Sequence, residues 1–315
     1  MHLYKYVGPQ LHIILSRLLV RFTPPLDLND PFEVVPHVAN LIAPEQADSY
    51  FQSLEKDADN RVREVLVEEL ARLGLPESFA KLVPYDVLRA VKVESLAYMK
   101  HVLPAILERA KPTVGAKVQK AVGERFGILC LSEVADNPLM WSHYADAHRG
   151  FVIEFDAAHE FFTGGGMSGA VGRVLPVTYA SERPGVTMFD PTLCAEDLGR
   201  RYVTDVLLTK SVDWAYEREW RMLLPLNDQK VPHVVEGGMH LFRVPATAIT
   251  RVIVGARCMQ ETRAAILAAI GVDRRLRHIR LAQARLSTSR YSIDIEDLSM
   301  NVRPADAHDA STETR

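Results

Sequence analysis

Phe126-Gly127-Ile128-Leu129-Cys130-Leu131 and, a short way on, Phe151-Val152-Ile153-Glu154-Phe155 decide the fold class. Both are apolar runs of strand length enriched in aromatic or β-branched residues, and both predict buried β-strands. The region before them has a different period. From residue 44 to about residue 122 apolar side chains fall at helical spacing, as in Val62, Val65, Leu66 and Leu70 and again in Leu96, Met99, Leu103 and Ile106. This predicts an all-helical insert over residues 44–122 with joints at Pro76, Pro84 and Pro112. Pro104 is expected to kink or restart its last helix, because proline removes a backbone donor.

Outward from this centre, Leu3-Tyr4-Lys5-Tyr6-Val7 alternates and stops at Gly8-Pro9, which predicts a strand followed by a helix over 11–19 and an extended piece over 20–23. The prolines and Asx residues of 24–33 predict a stiff, irregular loop. Toward the C-terminus, strands are expected at 174–179, 219–224, 240–244, 251–254, 278–281 and 291–295, and helices at 196–209 and 261–270. The sum is an α+β fold: a compact mixed or split β-sheet core with flanking helices and the helical insert, as a single domain over 1–300. The polar, small residues of 301–315 read as a mobile tail.

The chain has 315 residues, 48% apolar and 24% charged, with 37 basic and 40 acidic side chains and a formal net charge of −3. Those values exclude disordered and membrane classes and argue against a chain-wide nucleic-acid surface, which needs clustered cations to release counterions. Cys130, Cys194 and Cys258 form no Cys-x-x-Cys pair, so neither a disulfide framework nor a zinc knuckle is written, and a reducing cytoplasm is expected. Residues 11–20 are interrupted by Ser16 and Arg17, and no run approaches a membrane span or a standard export signal.

Gly164-Gly165-Gly166-Met167-Ser168-Gly169 satisfies G-x-G-x-x-G, but without a strand directly before it and a helix directly after, it reads as a flexible connection. The stretch Asn137-Pro138-Leu139-Met140-Trp141-Ser142-His143-Tyr144-Ala145-Asp146-Ala147-His148-Arg149-Gly150 is denser in chemistry. On a helix, Trp141, Tyr144 and His148 would share one face and Ser142, Asp146 and Arg149 the other. The aromatics read either as core or as a pocket for a heteroaromatic anion, with Arg149 at its mouth. His143 and His148 are wrongly spaced for a metal pair, so no metal is expected. In Glu217-Arg218-Glu219-Trp220-Arg221-Met222-Leu223-Leu224, period-two alternation points Glu217, Glu219 and Arg221 to one face and Arg218, Trp220, Met222 and Leu224 to the other. That charged face is either a solvated salt bridge or a carboxylate kept ionised by an arginine. Arg274, Arg275, Arg277 and Arg280 read as a solvated face or a phosphate or RNA contact. No G-x-S-x-G, Walker lysine loop or His-Glu-x-x-His occurs.

In order along the chain, Leu3-Tyr4-Lys5-Tyr6, Arg21-Phe22 with Asn29-Asp30-Pro31-Phe32-Glu33, Cys130-Leu131-Ser132, Met140 to Asp146 with Gly150, and Trp214 with Glu217 to Arg221 resemble the bacterial family known as domain of unknown function 2971. A weaker resemblance is to ADP-ribosyltransferases, whose split sheet carries His, Arg or Tyr on an early strand, Ser or Tyr on a middle one and a catalytic Glu, often Glu-x-Glu, on a late one. Tyr4 or Tyr6, Ser132 or Tyr144, and Glu217-x-Glu219 occupy those places here. The resemblance implies consumption of NAD, with Glu219, Glu217 and Tyr144 as the catalytic group. It implies cofactor contacts from Tyr4, Tyr6, Arg21, Asn29, Ser132, Trp141, His143, Arg149 and Arg221, with transfer to a protein or nucleic-acid acceptor in bacterial defence or stress. The alternative is a noncatalytic pocket that senses a nucleotide-like small molecule or binds nucleic acid. No membrane partner is expected.

Overall fold

The computed structural model describes residues 1–43, 45–46, 48–49, 52, 64, 66–68, 71–72, 85–164, 171–190, 193–228, 231 and 233–298. The Val62, Val65 and Leu70 spacing, Pro76, Pro84, the glycine run after Gly164 and the segment beyond residue 300 lie outside these residues. The strands are β1 His2–Val7, β2 Leu19–Phe22, β3 His37–Ile42, β4 Phe126–Ser132, β5 Phe151–Asp156, β6 Val174–Pro176, β7 Thr178–Ala180 and β8 Gly185–Phe189. They continue with β9 Thr209–Ser211, β10 Glu219–Pro225, β11 His233–Glu236, β12 Met239–Arg243, β13 Ile249–Val254, β14 Arg280–Leu286 and β15 Ile293–Leu298. The helices are α1 Ile13–Arg17, α2 Tyr85–Gly123, α3 Pro138–Tyr144, α4 Glu160–Thr163, α5 Ala195–Tyr202 and α6 Gln260–Val272. Helices and a large mixed sheet make this an α+β fold. Among the described residues no helix is long and apolar enough to cross a membrane.

The residues group into two compact units. The first comprises 1–27, 125–179 and 212–315 and carries an eight-stranded sheet ordered β15-β14-β13-β5-β1-β4-β10-β6. Its neighbours pair antiparallel except β13 and β14, which are parallel and joined through α6. Alternation gives the sheet two different faces. Leu3, Leu129, Leu131, Ile153, Phe155, Met222 and Leu224 pack with Ile14 and Leu15 of α1 and Ile266 and Ile270 of α6 on one side. Tyr6, Val152, Ile253, Ala282 and Ala284 pack with Met140 and Trp141 of α3 on the other. Trp220, Met222 and Leu224 thus occupy the apolar face that period two assigned to them.

The second unit comprises 28–124 and 180–211. Its helix α2 runs unbroken for 39 residues with Pro104 and Pro112 inside it, so the expected break and joint do not occur. Both prolines are exposed, and a proline on the outer side of a long helix removes one backbone hydrogen bond without ending it. The helix lies against β3, a strand that no sequence pattern marked, at Gly115, where a Cβ would stand 3.1 Å from Val38 Cγ2. In the proline-rich loop, Asp30 Oδ1 accepts from Phe32 N at 2.9 Å, as an Asx residue in a turn does.

Two helix boundaries differ from expectation. The helix predicted over 11–19 is a tight turn over Pro9–His12 followed by α1. Leu18 has φ 53°, which stops the helix and frees Leu19–Phe22 to pair with β12. The helix predicted over 196–209 widens after Tyr202, where Leu208 N donates to Val203 O, and Thr209 enters β9.

Candidate functional site

Strand register assembles the site. Arg251 of β13 lies opposite Glu154 of β5, Glu154 opposite Tyr4 of β1, Tyr4 opposite Ser132 of β4, and Ser132 opposite Glu219 of β10. Directly opposed residues project to one face of a sheet, so Arg251, Glu154, Tyr4, Ser132 and Glu219 form a polar row across five adjacent strands. Three of the residues named from sequence, Tyr4, Ser132 and Glu219, are consecutive in it.

At the β10 end of the row, Arg221 Nε donates to Glu219 Oε1 at 2.8 Å and Nη2 to Oε2 at 2.9 Å. The forked geometry is the strong form of this pair, and it is closed to water: Arg221 is 0% exposed and Glu219 5%. Cys130 stands opposite Arg221, and burial, reinforced by the negative Glu219, pushes its thiol pKa up to about 12. Lys5 Nζ donates to Cys130 O at 3.0 Å. Burial pulls the Lys5 ammonium below its ordinary range, Cys130 and Glu219 oppose that shift, and Arg21 adds to it. Arg21, on β2, has its Nε buried with no hydrogen-bond partner. Three cations, Arg221, Lys5 and Arg21, and the carboxylate of Glu219 therefore gather here.

Glu217 is not on the strand. It closes a tight helical turn over Val212–Glu217, and Arg218, with φ 45°, reverses the chain before β10 begins at Glu219. The expectation that Glu217, Glu219 and Arg221 share one strand face holds for Glu219 and Arg221 alone. Glu217 is 3% exposed, and its Oε1 accepts the Tyr144 hydroxyl at 2.6 Å. Ser132 Oγ donates to Glu217 O at 2.6 Å, tying β4 to the same turn. Asn137 completes the assembly: its Oδ1 caps α3 by accepting from Leu139 N and Met140 N, and its Nδ2 donates to Tyr216 O at 3.2 Å. Pro138 at the first helical position suits that start. Tyr144, half-buried at the end of α3, links the carboxylate of Glu217 to the surface.

The aromatic residues settle as core. Trp141 is 0% exposed, its Nε1 donates to Ala135 O at 2.7 Å, and Tyr6 meets it edge-on with ring centroids 5.5 Å apart. Tyr6 is itself buried, its hydroxyl donating to Val134 O at 2.8 Å. The helix ends at Tyr144, so the expected helical faces through His148 and Arg149 do not form. Instead Asp146, Ala147 and His148 take φ of 48°, 50° and 70°, a left-handed turn that lays His148 parallel to Trp141 at 6.3 Å. Arg149 forks onto Asp146, at 3.0 and 2.8 Å, so these two meet as expected, but through the turn and not along a helix. His143 is exposed with its ring edge toward Tyr144, and Asn29 belongs to the second unit. In the basic run, Arg275 pairs with Asp273 and Arg280 with Glu154 and Asp297. Among the described residues no three His, Cys, Asp or Glu side chains gather as a metal-binding group.

Sequence reasoning passed over Lys5, Cys130 and Glu154. Glu154 carried a signal, a lone acid in an apolar strand, and the fold surrounds it with Arg251 at 2.9 Å, Thr250 Oγ1 at 2.7 Å and Arg280 at 3.3 Å. Residues 140–222, which hold most of α3, the left-handed turn, Glu217, Glu219 and Arg221, match a family model described as Protein of unknown function (DUF2971). No curated protein and no solved structure matches the chain.

Proposed function

For a chain whose residues 140–222 match the DUF2971 family model, we propose an NAD-consuming enzyme of the ADP-ribosyltransferase type, working in the cytoplasm in a bacterial defence or stress response. The observation that carries this reading is the placement of Tyr4, Ser132 and Glu219 in register on the adjacent strands β1, β4 and β10. That is the early, middle and late order that the resemblance to ADP-ribosyltransferases implies. A second feature supports a fit to the dinucleotide. Arg21 presents a buried Nε without a partner beside Lys5, where a pyrophosphate would supply the missing acceptor.

The reaction breaks the bond between ribose and nicotinamide, the electron pair leaving with nicotinamide. Positive character then builds on the ribose, and a nearby carboxylate stabilises it. Glu219 acts on that charge only indirectly, since it is 5% exposed and both its oxygens are held by Arg221. Glu217, linked to the surface through Tyr144, accepts the proton of the attacking acceptor as its new bond to the ribose forms. Burial in an arginine pair makes Glu219 a poor first target for mutation. Glu217→Gln keeps the size of the side chain and an acceptor for the Tyr144 hydroxyl.

The test follows nicotinamide release from NAD, with cell extract as the source of acceptor. The wild type is expected to release nicotinamide, and Glu217→Gln to lose about 100-fold or more while its thermal midpoint stays near wild type. An unchanged rate in Glu217→Gln removes the assigned proton acceptor. The full engagement of Glu219 by Arg221 favours a second reading, a pocket that senses a nucleotide without turnover. Saturable NAD binding by a wild type that releases no nicotinamide would select it.

A further inference from the structure

The parallel strands β13 and β14 and the helix α6 between them form a strand–helix–strand unit, and ligands of such units collect where the strands end in their carboxyl direction. A cavity of about 530 Å³ lies there, within the range that takes a small organic ligand. Gly255 and Ala256 line it from the loop leaving β13, Arg263 from α6, Gln283 and Arg285 from β14, and Thr288 from the turn toward β15. Tyr4, Ser132 and Glu219 are not among its lining residues.

We propose that this cavity binds a small phosphomonoester, with the Arg263 guanidinium on the phosphate. Arg263 Nη1 donates to Gln283 Oε1 at 2.8 Å. Gln283 is 9% exposed, and its amide nitrogen donates to three carbonyl oxygens, of Val254, Gly255 and Ala284, at 3.2, 3.1 and 3.0 Å. The amide is therefore fixed in orientation, and being neutral it aims the guanidinium without cancelling its charge. Arg285 on the same wall differs, since its Nε meets Glu296 Oε2 at 2.7 Å and its charge is offset. A held guanidinium with donors to spare suits the tetrahedral oxygens of a phosphate, and the remaining volume accommodates a sugar or ring. Gly255 contributes backbone alone to the lining, because a Cβ there would fall 2.3 Å from His148 O.

Calorimetric titration with inorganic phosphate, adenosine 5′-monophosphate and adenosine reads binding alone, and the Arg263→Gln variant separates this cavity from the dinucleotide site proposed above, which it leaves intact. The wild type is expected to bind the monophosphate saturably and adenosine much more weakly. Arg263→Gln should weaken the monophosphate by about tenfold or more, as loss of a charge-assisted bond does, while Arg285→Gln stays within about twofold. Inorganic phosphate competing with the monophosphate supports the anion contact. Equal monophosphate binding by wild type and Arg263→Gln, adenosine binding as tight as the monophosphate, or no saturable binding of either phosphate probe overturns the proposal.

Discussion

Arg221 has no exposed surface, and both arms of its fork end on Glu219, so this pair behaves unlike the exposed bridges elsewhere, such as Arg149 with Asp146 or Arg285 with Glu296. An exposed bridge contributes at most about 1 kcal/mol. Removing one member of a buried pair instead leaves an uncompensated charge and costs about 3–5 kcal/mol, whereas replacing both with apolar residues of similar volume costs far less. Glu219→Leu should therefore lose more stability in urea unfolding than Glu219→Leu combined with Arg221→Met. A double variant that loses the sum of two full single losses would show that the two side chains do not act as a unit. The pair was legible in sequence, because two residues apart on a strand means one face. Lys5 and Cys130 were not, since their environment comes from β1, β2, β4 and β10, and no local pattern encodes which strands become neighbours.

Among the elements, the turn over Asp146, Ala147 and His148 departs furthest from what local sequence prefers. Left-handed backbone costs an L-residue about 1–2 kcal/mol, and three such residues stand in a row without a glycine. Backbone bonds from outside the turn hold it: Arg257 N donates to His148 O, and Gly150 N to Ala145 O. Helical spacing failed here in part because one of these hydrogen bonds comes from the loop at Arg257, beyond β13. The chain leaving the turn is closely packed as well. A Cβ on Gly150 would fall 1.9 Å from Val7 O, against β1. Gly150→Ala is thus expected to lose about 3 kcal/mol of stability by overpacking. Ala147→Gly should be neutral or gain up to about 1 kcal/mol, since glycine accepts the φ that alanine resists. Thermal or urea unfolding checks both, and a destabilised Ala147→Gly would contradict the assigned backbone. The strands β1, β4, β5 and β10, by contrast, were readable because each repeats a period of two or a short apolar run that one buried sheet explains.

For the molecule as a whole, composition sets a soluble-type balance of charge and core, but the two-sided sheet and the burial of titratable groups set how stability depends on pH. On the acid side, burial lowers the pKa of His148 and His240 below 6.5, with Arg257 adding to the first and His233 to the second. Below pH 6.5 the unfolded chain binds these protons more readily than the folded one, so stability is lost as pH falls through the lowered values. On the alkaline side the sign reverses. Burial raises the Cys130 thiol from 9.0 to about 12 and the Tyr202 hydroxyl from 10.0 to about 12. Between those limits the unfolded chain has released protons that the folded chain keeps, and stability falls as pH rises. Lys5, whose pKa is lowered, opposes this trend up to its ordinary value of 10.5, because the folded chain releases its proton first. Urea unfolding across pH is therefore expected to give a maximum between about pH 7 and 9. Cys130→Ala should flatten the alkaline limb and His148→Asn the acid limb, each leaving the opposite limb in place. If Cys130→Ala leaves the slope above pH 9 unchanged, the thiol is not held neutral between Glu219 and the core, and the polar row ends on a different floor from the one described.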